Sequence, residues 1–78
     1  MPRYFFDIRD GEHVAPDRIG VDLDGLEAAT AEAKRALPDI VRDVMPNGDR
    51  RTFTVVVKDE TGRALVQVTL SLVVESLP

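Results

Sequence analysis

The sequence predicts an α+β fold, ordered β-β-α-β-β, with a mainly antiparallel four-stranded sheet and one helix packed on one face. Three observations predict it. Apolar and polar residues alternate with a period of two near both ends of the chain, and a glycine turn splits each alternating region, "RDGE" early and "DETG" late. Between them, one long stretch repeats its apolar residues at helical spacing. The chain has 78 residues, which suits one domain over 1–78 with one core. A chain of this size buries only about 60–65% of the surface it exposes when unfolded, so a partner subunit would add stability.

The elements follow in order. "RYFFDIR" alternates as a strand, with Tyr4, Phe6 and Ile8 on one side and Arg3, Phe5, Asp7 and Arg9 on the other. Gly11 supplies the positive φ that the tight "RDGE" turn demands. "HVAPDRIGVDL" is a weaker return strand. Pro16 has no amide hydrogen, so this strand lies at an edge or breaks there. "DGLEAATAEAKRALPDIVRDVM" is the helix, with Asp24 as N-cap and Glu27 three residues later in capping-box spacing. Leu26, Ala29, Ala33, Leu37, Ile40 and Val44 fall within roughly 80° of one another and face the sheet. Pro38 permits two readings: one kinked helix, or a break at Leu37 with a second helix starting at Pro38. The unbroken apolar phase through Ile40 and Val44 favours the kinked helix, which frees the carbonyl of Lys34 on the solvent side. Pro46 and Gly48 then stop the helix. In the second hairpin, Phe53, Val55 and Val57 alternate with Thr52, Thr54 and Lys58, and Gly62 takes the left-handed position of the turn. The last strand sets Val66, Val68, Leu70, Leu72 and Val74 against Leu65, Gln67, Thr69, Ser71 and Val73.

Composition excludes several functions. There is no cysteine, hence no disulfide and no thiolate metal site. No signal peptide is visible, and the longest apolar stretch, "ALVQVTLSLVV", is too short to span a bilayer. The expected location is the cytoplasm. The net charge of −4 lies entirely in residues 1–27, where seven acids face three arginines. The nearest cationic cluster, Arg50 and Arg51 with Lys58 and Arg63, is too thin for general nucleic-acid binding and reads as a solvated hairpin rim. Phe5 lacks the aromatic neighbours that a base-stacking sheet needs. Asp7, Asp10, Glu12 and His13 are acid–base or metal candidates by type, but turn chemistry explains Asp10 and Glu12, and all four read as surface polar groups. "DLDG" lacks the remaining ligands of a calcium loop. No phosphate loop, nucleophile elbow or zinc spacing is present, so neither enzymatic activity nor a cofactor is expected.

The remaining candidate is an interface. If the first strand lies beside the third, Phe5, Val56, Leu65 and Val73 fall on the sheet face away from the helix and can form an apolar patch. The final strand, with its run "TLSLVVE", offers a second route by pairing edge to edge across a two-fold axis. Both point to a homodimer or to another protein as partner, with neither membrane nor nucleic acid engaged.

"MPRYFFDIRDG", "GVDLDGLEAATAEAKRAL" and "VVVKDETGRALVQV" resemble a family of short alphaproteobacterial proteins, common in rhizobia, that opens M-P-R-Y-F-F and carries a domain-of-unknown-function label. The family pattern is matched by Asp17, Gly20 and Leu23, by Leu26, Ala29, Glu32 and Ala33, and by Asp59, Gly62 and Leu65. Two positions depart from it: Asp7 stands where a histidine is frequent, and Pro38 interrupts a helix usually free of proline. The resemblance implies no activity and no functional residues. A looser similarity, from Tyr4 to Leu37, is to HicB-type antitoxins. It implies an alternative function, a regulatory protein that binds and occludes a toxin, although the DNA-binding segment of such antitoxins is missing.

Overall fold

The computed structural model describes residues 1–43 and 50–78. It is a mixed α+β fold in two layers, an antiparallel sheet and one helix. The strands are β1 (Arg3–Asp10), β2 (His13–Ala15), β3 (Val21–Asp22), β4 (Arg50–Lys58) and β5 (Ala64–Val73), and the helix α1 is Leu26–Asp43. The sheet order is β2-β1-β4-β5, with β3 also paired to β1. The first strand therefore lies beside the strand that follows the helix, and Asp7 faces Val56 across the pair.

The expected second strand exists as two short pieces. β2 pairs with Ile8–Asp10 and β3 with Arg3–Tyr4, all on the same edge of β1. The break falls at Pro16 and the turn after it, where the chain cannot continue a ladder of hydrogen bonds. The sheet thus has five strands where the alternation predicted four.

The helix is a single element that runs through Pro38 and is kinked. Pro38 and Lys34 are both exposed, so the carbonyl that loses its partner faces solvent. The helix start differs from expectation. The Gly25 carbonyl accepts the first helical hydrogen bond, from Ala29 N–H at 3.0 Å, so Gly25 and not Asp24 is the cap residue. Leu26 is also exposed rather than buried, because it sits in the first turn at the end of the packed stripe. Ala29, Ala33 and Leu37 are buried as the periodicity requires, and Ile40 is half-buried. Val44 and the stop at Pro46 and Gly48 lie outside the described residues.

The core joins Ala29, Ala33 and Leu37 of the helix to Tyr4, Phe53, Val55 and Val57 of the sheet. Phe6, Ile8, Val66 and Val68 pack around it. The two alanines carry only a methyl group each, which lets the helix backbone come close to β4 and β5.

Candidate interaction surface

The two edges of the sheet are built differently, and the first is closed by a side chain. Between β3 and β2, β1 has no strand partner. There Asp17 takes the strand's place. Phe6 N–H donates to Asp17 Oδ2 at 3.1 Å, while Ile19 N–H and Gly20 N–H donate to Oδ1 at 3.0 and 3.1 Å. The Asp17 N–H in turn donates to Asp7 Oδ1 at 3.0 Å, and Lys58 Nζ lies 2.6 Å from Asp7 Oδ2. Burial pushes both carboxyls toward the neutral form, but these donors outweigh it, so Asp7 and Asp17 titrate below the ordinary aspartate value. Gly20 is required here. Its φ is +78°, and a Cβ would sit 2.8 Å from the Arg3 side chain and 2.9 Å from Phe5. Arg3 completes the closure, with its Nε 2.9 Å from Asp22.

The second edge is β5, and it is open. Its ten residues, "ALVQVTLSLV", contain no charge and no proline. Its register with β4 is regular from Val66 to Val73, and one extra residue enters β5 only at its start, opposite Val57 and Lys58. The exposed large apolar residues of the described chain concentrate here: Leu65, Leu70, Leu72 and Val73 in the strand, then Val74 and Leu77 after it. Natural edges are usually guarded by charge, proline, bulges or shortness. The β1 edge has such guards, and β5 between Val66 and Val73 has none.

The sheet face away from the helix does not gather the four candidate residues into one patch. Val56 is buried, because Asp7 of β1 and Gln67 of β5 flank it on both sides. Phe5 is half-buried beside Gly20. Leu65 is exposed at one end of β5 and Val73 at the other, about 27 Å away along the strand at the usual rise. Polar pairs fill the interval, with the Thr54 and Thr69 hydroxyls 3.1 Å apart and those of Thr52 and Ser71 at 3.4 Å. Leu65 and Val73 thus lie at opposite ends of the β5 edge.

Other candidates resolve into structure. Asp10 accepts from Arg51 Nε and Nη2 at 2.8 and 2.6 Å, and this hydrogen bond holds its carboxyl below the ordinary value. The Arg51 guanidinium also lies 5.5 Å from the centroid of Phe53. Two of the four cations of the hairpin rim, Arg51 and Lys58, are therefore held in ion pairs. Among the described residues, no three of His, Asp and Glu come together as metal ligands. A small apolar cleft of about 180 Å³ lies between helix and sheet, lined by Phe6, Ile8, Val55, Ala36 and Ile40. It arises because the helix lies close to β4 and β5 and leaves β1 partly uncovered.

The bonding of Asp7 and Asp17 was not foreseen from the sequence. The signal was present in the repeated spacing Asp17-x-x-Gly20 and Asp59-x-x-Gly62. In the second copy, Asp59 Oδ1 accepts from Thr61 N–H at 2.9 Å and from Arg63 N–H at 3.1 Å, the same loop-closing use of a carboxylate.

Residues 3–71 match the model of a family described as Domain of unknown function (DUF6894). No curated protein and no solved structure matches the chain.

Proposed function

The chain belongs to the DUF6894 family, and we propose that it is a small non-enzymatic cytoplasmic protein-interaction module that works as a homodimer or by binding another polypeptide. The observation that carries this reading is the β5 edge, ten uncharged residues with exposed leucines and valines. Such an edge is a template for a further strand, in which main-chain hydrogen bonds supply affinity and side-chain rows supply selectivity. The acids nearest to one another support the non-enzymatic part. Asp7, Asp10 and Asp17 are each engaged by donors that hold the fold together. No described helix is long and apolar enough to cross a membrane, and the chain has no cysteine, which agrees with a reducing compartment.

Light scattering behind a sizing column tests the reading on the purified chain of 8.6 kDa. At ~100 µM, well above a micromolar dissociation constant, the expected mass is that of a dimer. A clean monomer refutes self-association and leaves a different polypeptide as partner. A stoichiometric metal in elemental analysis of the same sample would overturn the non-enzymatic reading.

A further inference from the structure

We propose that two copies of this chain join through β5, antiparallel about a two-fold axis at Thr69, so that Val66–Leu72 of one copy pairs with the same stretch of the other. This rests on the interaction-module reading and names the partner as a second copy. The strand is its own complement. Read outward from Thr69, the residues on the two sides match by class: Val68 with Leu70, Gln67 with Ser71 and Val66 with Leu72. A two-fold axis at Thr69 puts each member of these pairs opposite the other. Apolar residues of the helix-side row meet apolar residues, and the polar row meets itself. The stretch that pairs, Val66–Leu72, lies wholly within the part of β5 whose register with β4 is regular.

The regular stretch selects this register. The extra residue at Leu65 ends it on one side, so an axis at Val68 keeps only Val66–Leu70 paired within it. An axis at Leu70 sets Gln67 opposite Val73, polar against apolar. Residues facing each other across the seam have the same parity, so both helices lie on one side of a continuous sheet. The other edge cannot offer such a seam, since β2 and β3 are short and separated by Pro16 and the Asp17 loop.

The absence of native cysteine makes the test clean. Residues facing themselves across an antiparallel pair have Cα atoms about 4.5–5.5 Å apart, within the range a disulfide spans. Thr69→Cys in the full chain should therefore give a covalent dimer under mild oxidation. Gln67→Cys should not, because its two copies are displaced by about 14 Å along the strands. Circular dichroism of both variants confirms that each keeps the fold. A wild-type dimer whose Thr69→Cys variant does not cross-link, or whose Gln67→Cys variant does, would overturn this seam while leaving self-association standing. A wild-type monomer at ~100 µM would overturn both the seam and self-association.

Discussion

Asp17 and Asp59 open loops with the same spacing, and each folds its carboxylate back onto the backbone that follows. Asp59 acts only within its own turn. Asp17 does more, because its second oxygen accepts from Phe6 N–H in the gap between β3 and β2. A carboxylate thus replaces one rung of a missing strand. Asp17→Ala removes the acceptor for three amide groups at once. It should cost about 1–3 kcal/mol, the penalty for polar groups left unpaired, read as a lower urea midpoint with the slope unchanged. The spacing Asp-x-x-Gly is legible in the sequence as a turn. Its second use is not, because nothing local says that Phe6, eleven residues upstream, will lack a strand partner on its outer edge.

Helix α1 shows which parts of an amphipathic pattern are decided locally. The spacing of Ala29, Ala33 and Leu37 puts them on one face, and all three are buried. Leu26 shares that phase but lies in the first turn and is exposed. Leu37→Ala should therefore lower stability by about 2–5 kcal/mol, as truncation of a buried leucine does. Asp39→Ala, on the exposed face, should stay within about 0.5 kcal/mol. Chemical denaturation of the pair checks the helix phase, since equal midpoints would contradict it. Pro38 does not end the helix because tertiary packing on both sides of it, through Leu37 and Ile40, outweighs one lost hydrogen bond.

The whole molecule is one small core with acids pinning its margins. Asp7 ties β1 to β4, Asp10 ties β1 to Arg51, and Asp22 ties β3 to Arg3. Each of these carboxyls, with Asp17 and Asp59, titrates below its ordinary value in the fold. A carboxyl whose pKa is depressed on folding contributes stability that is fully present above its unfolded pKa and is lost as pH falls through its folded pKa. Stability should accordingly be flat, as far as these groups decide it, above about pH 5 and decline steadily below it. Thermal unfolding followed by circular dichroism across an acid series reads this directly. A protein as stable at pH 3 as at pH 6 would show that these contacts contribute little.

The sequence by itself determined the order hairpin, helix, hairpin, with the helix phase, the two-sidedness of the strands and the glycines of the two hairpin turns. Each depends on periodicity or on a conformation that only one residue type adopts freely. Tertiary structure alone decided which strands are neighbours, and so which apolar residues are covered. Val56 and Val73 lie in equally regular alternation, yet Val56 is buried in the central strand β4 and Val73 is exposed in the edge strand β5. Alternation assigns a residue to a face. Whether that face or edge meets solvent depends on what lies beside the strand, and residues far away in the chain supply that neighbour.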